Sequence, residues 1–475
     1  MGSRVQHVQI LSKAQRQDAP LGSSYWIEEA GGLPSDINRA PGGRFDHVIV
    51  GGGFVGLWTA LHLKERQPDV SVAVIERFRC GAGASGRNGG SVMSWWSEIG
   101  GLLAVAGPEE AMRLAHASQE AIEAIERFCL KHGIDAHLAR GGWLWTATLE
   151  PHRDAWATVL SDCERLGHMP FNVLSPQDLA IRTGSAVHLH GILEPGAVTL
   201  QPARLVLGMR RVALEKGVVI FEESPVTHLQ PGPVVRVHTG QGVVSGCSVV
   251  LATNAWASAI PALSRLIVPV NSSIVVTEPI PELLQAWGWS GDEAINDSQK
   301  MVNYYRKTRD GRIAFGKGTG ALSRGSHIDA VFSRDVPSLN LTEADLRRTY
   351  PRLGQTRITH GWSGPIDRTY DNLPVLGTLP GTDNIHYGIG WSGHGVAPSW
   401  VGGQILASLA LRQRDGWSEC ALVNRTPKRF PREPLRRMGG NLIRNAVLRQ
   451  ETALRAGLKP GWRDVALAKW APGSH

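Results

Sequence analysis

Gly51, Gly53 and Gly56 stand in the spacing G-x-G-x-x-G directly after the apolar run Val48-Ile49-Val50. Glycines so placed suit the cradling of a pyrophosphate. The first permits a tight turn, the second lets the backbone approach the phosphates, and the third lets a helix pack closely on a strand. Phe54 and Val55 lie between them, where N–H groups at a helix start face negative charge. Glu76 follows Gly56 by 20 residues, with Arg77 beside it. From that position an acid hydrogen-bonds a ribose hydroxyl; a solvated strand-end carboxylate is the alternative.

Such chemistry needs elements that hold it. Val48 to Val50 reads as a buried parallel strand and Leu57 to Arg66 as a helix, ended by Pro68 and Asp69. Val70 to Ile75 reads as the next strand, closed by Glu76. Strand, glycines, helix, strand and terminal acid in this order describe a Rossmann-type dinucleotide-binding unit.

A second run of small residues follows, Gly81-Ala82-Gly83-Ala84-Ser85-Gly86-Arg87-Asn88-Gly89-Gly90-Ser91. It suits backbone contact with phosphates and a ring edge. In this run the sequence resembles the D-amino-acid-oxidase-like family of FAD-dependent amine and amino-acid oxidoreductases, which includes sarcosine, glycine and γ-glutamylputrescine oxidases. The stretch 84–90 is most similar to the γ-glutamylputrescine oxidase branch. The resemblance implies FAD held by Ala84, Ser85, Asn88, Gly89, Gly90 and Ser91, with adenine on the backbone of Val226. It implies a further contact from the segment 248–256, through Ala252 and Trp256, which could equally be a core strand. It also places Gly364 and the run Gly393-His394-Gly395-Val396 against the flavin. Val401 to Leu411 reads as a helix starting nearby, whose positive end would stabilise negative charge on the reduced ring. His394 is read as packing there, with proton transfer as the alternative. Non-covalent FAD is expected, because the segment 366–374 holds no cysteine and the segment 85–88 no histidine.

The substrate side is sought among aromatic and cationic residues. Trp95 and Trp96 follow the flavin loop, Trp362 and Trp391 lie near the late glycines, and Trp143 and Trp145 share one face of a strand. An aromatic wall suits an amine, through apolar contact when neutral and cation–π attraction when protonated; plain packing is the competing role. In Tyr304-Tyr305-Arg306 the resemblance implies an arginine that grips an anionic group by two-pronged pairing, with Tyr305 beside it. A surface arginine is the alternative, and Lys317 is a second cationic candidate. The expected reaction is oxidation of the C–N bond of a small amine or amino acid. Hydride passes to flavin N5, and the imine hydrolyses to a carbonyl product. Alignment rather than a strong base carries such chemistry. Oxygen or a quinone-type acceptor takes the electrons. The sarcosine oxidase branch activates oxygen with a lysine, and none stands in the matching register around Ile313 to Gly316. An accessory or electron-transfer flavoprotein subunit of a larger dehydrogenase is the competing function.

The 475 residues exceed what one core supports. The expected fold class is α/β: a Rossmann-type FAD-binding domain interleaved with an α+β substrate domain on a mostly antiparallel sheet. The flavin segments are 42–100, 190–260 and 355–415, the substrate segments 101–189 and 261–354. Pro108 to Lys131 has helical spacing with Gly133 as its stop. Gly141 to Ala147, Ile267 to Val276 and Val302 to Phe315 read as strands. Residues 1–41 form an N-terminal extension. Residues 416–475 form a basic tail, helical from Gly439 to Leu454, expected to pack on the body or a neighbouring subunit. The chain carries a net charge of +8, and Lys428, Arg429, Arg432, Arg436, Arg437, Arg444 and Arg449 gather in this tail. No nucleic-acid motif accompanies them. No apolar run has the length of a membrane span, about 18 residues, the start lacks an apolar leader, and five scattered cysteines suggest neither disulfides nor a metal site. A cytoplasmic enzyme is expected.

Overall fold

A computed structural model describes residues 8–9, 21–322 and 327–472. The expected N-terminal extension thus lies partly outside the described residues, as do the last three residues of the tail.

Strand Arg44–Val50 pairs in parallel with Val72–Ile75 on one side and Val243–Leu251 on the other. Parallel pairing continues to Val219–Phe221 and Ile385–Ile389, and antiparallel strands Val226–Gln230, Val235–Thr239, Val8–Gln9 and Val375–Thr378 bring the sheet to nine strands. The central strands are apolar throughout because both faces are covered. Ile49 and Val250 pack with Leu57 and Ile405, from helices Phe54–Arg66 and Val396–Ala410. Val48, Val50, Val249 and Leu251 face the opposite layer with Leu263 and Ile385.

A second sheet of eight strands runs Ile358–Arg368, Val268–Thr277, Ile313–Lys317, Asn303–Lys307, Ala294–Asp297, Trp143–Ala147, His190–Glu194 and Asn172–Leu174. All its pairings are antiparallel except that of Ala294–Asp297 with Trp143–Ala147. A Rossmann-type layer and a mostly antiparallel sheet are thus interleaved in one chain.

Several boundaries differ from the sequence reading. Strands His190–Glu194 and Ile358–Arg368 hydrogen-bond into the second sheet, so segment limits at 190 and 355 assign both to the wrong layer. The helix expected from Pro108 runs Ile99–Lys131, broken at Gly107 with φ 74°. Pro108 has no N–H and its ring obstructs the preceding turn, so the break falls on the glycine before it. The stretch 302–315 is a hairpin of two strands, Asn303–Lys307 and Ile313–Lys317. The late apolar helix begins at Val396, five residues before the expected Val401.

The tail folds as helices Leu435–Arg455 and Trp462–Ala468. They are fastened to the body. Met301 N–H donates to Glu451, Arg455 to Gln299 Oε1, Arg444 to the Thr319 carbonyl and Lys300 to that of Ala468.

Candidate active site

A cavity of about 1140 Å³ is lined from both sheets and from the tail. At one end Gly51, Gly53, Phe54 and Val55 form its wall. Helix Phe54–Arg66 starts there with Gly53 as its cap, which has no side chain to accept from the first turn, and the Phe54 N–H donates to Ser85 Oγ at 2.9 Å. The glycines are sterically required. A Cβ on Gly51 would collide with the Ala252 carbonyl oxygen, and one on Gly53 would sit 2.8 Å from Ser85 Oγ. Glu76 lines the same end and accepts from the amides of Gly52 (2.7 Å) and Phe78 (2.9 Å). Burial pushes its carboxyl up, against those two bonds. Arg77, Val226, Ala252 and Trp256 complete this end. Thr253 Oγ1, Asn254 Oδ1 and Trp256 Nε1 also border the cavity and are buried with no hydrogen bond among the described residues.

Further along, Ala84, Ser85, Asn88, Gly89 and Ser91 lie opposite Gly364, Gly393, His394, Gly395 and Val396. Helix Val396–Ala410 also starts without a side-chain cap or a first-turn acid. His394 Nδ1 lies 3.0 Å from Glu98 Oε1. Asp367 accepts from the amides of Gly390 and Trp391 and from Asn254, yet burial outweighs these and lifts its carboxyl to about 7.

The far chamber belongs to the second sheet. Trp143 and Trp145 stack there at 5.7 Å. Tyr304 closes it with its hydroxyl 2.7 Å from Ser272 Oγ. Asp297 accepts from Gln299 and Asn303, and burial raises its carboxyl.

The structure gathers most of the expected cofactor residues on this one cavity. Gly56 and Gly90 stand behind its wall instead, Gly56 against the Gly51 carbonyl and Gly90 against the Leu200 carbonyl and Arg306. The substrate candidates fare differently. Arg306 does not reach the cavity. Its guanidinium donates to the carbonyls of Gly89 (2.8 Å) and Leu200 (2.6 Å) and lies over the Trp26 ring. Tyr305 points to the other face of its strand, 3.1 Å from His188 Nε2 and stacked on Phe315. Lys317 is fully buried in an ion pair of 2.8 Å with Asp345. Trp95 is core, Trp96 stacks on His168 and bonds Gln119, and Trp362 donates to the Arg87 carbonyl. Of the aromatic and cationic residues sought on the substrate side, Trp143, Trp145, Trp391 and His394 line the cavity, whereas Trp95, Trp96, Trp362, Tyr305, Arg306 and Lys317 do not. Tyr304, Asp297, Arg368 and the tail were not marked by any motif. Strand alternation through Gly364, Ile366 and Arg368 is the pattern that exposes Arg368.

The family described as FAD dependent oxidoreductase, DAO, matches residues 46–409. The chain belongs to that family. Gamma-glutamylputrescine oxidoreductase of Escherichia coli (strain K12) is 30% identical over 373 residues, 77% of this chain and 83% of that protein. A probable oxidoreductase OrdL of Rhizobium meliloti (strain 1021) is 30% identical over 423 residues, 86% of this chain and 91% of that one. The crystal structure of glycine oxidase from Geobacillus kaustophilus superposes with a TM-score of 0.65 at 21% identity, covering 81% of this chain and 99% of that one, which shows a shared fold.

The protein is therefore an FAD-dependent oxidoreductase, of a type whose relatives are named for amines and amino acids. The residues fit the cofactor: the two helix starts would face its phosphates and ring, the glycines leave room for them, and the buried atoms Thr253 Oγ1, Asn254 Oδ1 and Trp256 Nε1 would find polar partners in it.

Arg306 yields a first prediction. Arg306→Ala should destabilise the fold by about 3 kcal/mol, from lost charge-assisted bonds and the Trp26 contact. It should weaken all substrates alike. A melting temperature equal to wild type, with loss confined to anionic substrates, would return Arg306 to the site.

Proposed function

We propose that this FAD-dependent oxidoreductase oxidises the C–N bond of a small amine or amino acid, with an anionic group on the substrate. The supporting observation is the continuity of one cavity, from the dinucleotide cradle to a chamber walled by Trp143, Trp145 and Tyr304. FAD, when bound, supplies a two-electron acceptor for the hydrogen on the carbon next to nitrogen.

The chain's own residues do the rest. Trp143 and Trp145 offer flat faces to an amine in either protonation state. Tyr304 holds its proton at neutral pH, since burial lifts its hydroxyl to about 12. Bonded to Ser272, it orients a substrate rather than deprotonating it. Walls of this kind also exclude water from the reacting carbon until the imine leaves to hydrolyse. The flavin contacts proposed are those that line the cradle, with Glu76 on the ribose and Gly53 with Val55 on the phosphates. No cysteine among the described residues lines the cavity, which supports non-covalent FAD. We place the enzyme in the cytoplasm, with oxygen or a quinone-type molecule as final acceptor.

The test is anaerobic bleaching of the flavin absorption against primary, secondary and N-methyl amines and D-amino acids. At least one class should bleach it, faster as pH rises toward the bound amine's pKa, because the amine must lose its proton first. Bleaching by none of them would remove the reading. Turnover by the purified chain alone separates it from an electron-transfer subunit. Acid precipitation should release the yellow flavin into the supernatant; a yellow pellet would mean a covalent bond.

A further inference from the structure

We propose that the C-terminal segment is a specificity element, in which Lys428 and Arg429 at the cavity mouth bind a carboxylate carried by the substrate away from its amine. The inference rests on the amine-oxidation reading only for what reacts at the inner end of that molecule.

The cations around the cavity differ in what they already hold. Arg87 donates to the carbonyls of Gly22, Ser333 and Ser363. Arg444 donates to Thr319, and Arg436 to Ser264 and Glu433. Arg368 is half-buried, donates to Asn372, and stands inward near the Glu98–His394 pair. Lys300 donates to the Ala468 carbonyl, and Arg77 lies over the Phe78 ring at the dinucleotide end. Lys428 and Arg429 remain. Both are exposed, both line the cavity, and neither forms a hydrogen bond or ion pair among the described residues.

Their place is built rather than incidental. Arg425 clamps Asp371 with two bonds, of 2.6 and 3.0 Å, and also donates to the Pro374 carbonyl. Phe430 packs on Tyr370 at 5.9 Å. Between these anchors Lys428 Nζ lies 4.0 Å from the centre of the Tyr370 ring and 5.7 Å from that of Trp470. Two rings thus hold an ammonium at the rim without neutralising it. The clamp on Asp371 also occupies a carboxylate close by that would otherwise compete.

The segment lies beyond residues 46–409, the span shared with the family. From Gly416 to His475 it has twelve basic and four acidic side chains, a net charge equal to the +8 of the whole chain. A mouth so charged draws anions inward. The chamber at the far end is aromatic, walled by Trp143, Trp145 and Tyr304. An amine inside and a carboxylate at the rim satisfy both ends.

Glutarate, which has no amine to oxidise, and its neutral diamide are the probes, titrated into the FAD-loaded protein with the flavin band as readout. Glutarate should bind wild type. Lys428→Gln with Arg429→Gln should weaken it about tenfold at low ionic strength, a few-fold for each exposed cation, and less in high salt. The diamide should respond to neither change. Both residues are exposed, so flavin content and melting temperature should match wild type. Absence of glutarate binding to wild type, equal losses for glutarate and diamide, or loss only with Arg368→Gln would each overturn the assignment. Glutarate binding that depends on Lys428 and Arg429, in a protein whose flavin no amine bleaches, would support the anion site while removing the amine reading.

Discussion

Gly56→Ala should give a folded chain that purifies nearly without flavin. The added Cβ would collide with the Gly51 carbonyl oxygen and stand 3.2 Å from Ile49 Cγ2. Neither neighbour can yield, because Gly51 N–H donates to the Ile75 carbonyl and Ile49 is buried in the parallel sheet. Helix Phe54–Arg66 must therefore move off its strand, carrying its N–H groups away from the phosphates. Overpacking of this kind costs about 3 kcal/mol, roughly a hundredfold in FAD affinity. The ratio of flavin to protein absorbance after purification measures it. Gly42→Ala is the control, since nothing lies within 4 Å of the Cβ it would add. A full complement of flavin in the Gly56 variant would show that this close approach is not needed.

Lys317→Met should lower stability by about 3–5 kcal/mol, the usual cost of stranding one partner of a buried ion pair. Lys317 and Asp345 are both fully buried and 2.8 Å apart. The ammonium also donates to the Met301 carbonyl and Asn303 Oδ1. Asp345 further holds Arg348 at 2.5 Å and has Arg455 of the tail helix at 3.8 Å. Burial pushes the Asp345 carboxyl up, but Lys317 and Arg348 outweigh it and hold it below its ordinary value of 3.8. Its contribution is thus complete above that value and is lost as pH falls through the lowered one. Denaturant unfolding at neutral pH measures the loss. A change under about 0.5 kcal/mol, typical of a surface site, would mean the cluster is not stabilising. Because Arg455 and Glu451 meet the same cluster, the tail should loosen in this variant before the flavin domain does.

The cradle was legible in the sequence because its causes are local. Glycine spacing dictates where a backbone can turn and approach phosphate. Apolar runs of four or more residues dictate strands covered on both faces, and an acid at a strand end falls where the fold leaves it. The same holds for the small-residue loop. Gly89 must stay small because the Tyr304 ring lies 3.0 Å from where its Cβ would be, and Gly90 because Arg306 and the Leu200 carbonyl occupy the space beside it.

The facing of side chains was not local. Tyr304, Tyr305 and Arg306 sit on one strand, and alternation turns Tyr305 toward His188 and Phe315 while Tyr304 reaches the chamber. A one-residue change of register would exchange those faces, and register is decided by pairing with Ile295 and Phe315, distant in sequence or across a turn. Arg306 shares the face of Tyr304 yet is stopped by two carbonyls that only the folded loop presents. Trp95 and Trp96 follow the flavin loop in sequence, but the turn into helix Ile99–Lys131 buries both.

Sequence alone determined the dinucleotide-binding unit and its glycine loops, which follow from neighbours within about twenty-five residues of the chain, while the cofactor class was legible through the family resemblance those loops carry. Tertiary structure alone decided the substrate end. Which aromatic rings face inward, which cations remain unpaired and where the C-terminal helices lie depend on contacts between segments far apart in the chain, such as Asp371 with Arg425, 54 residues on, and Met301 with Glu451, 150 residues on. No pattern along the chain records those meetings, because they arise from the packing of two sheets and a tail around one cavity.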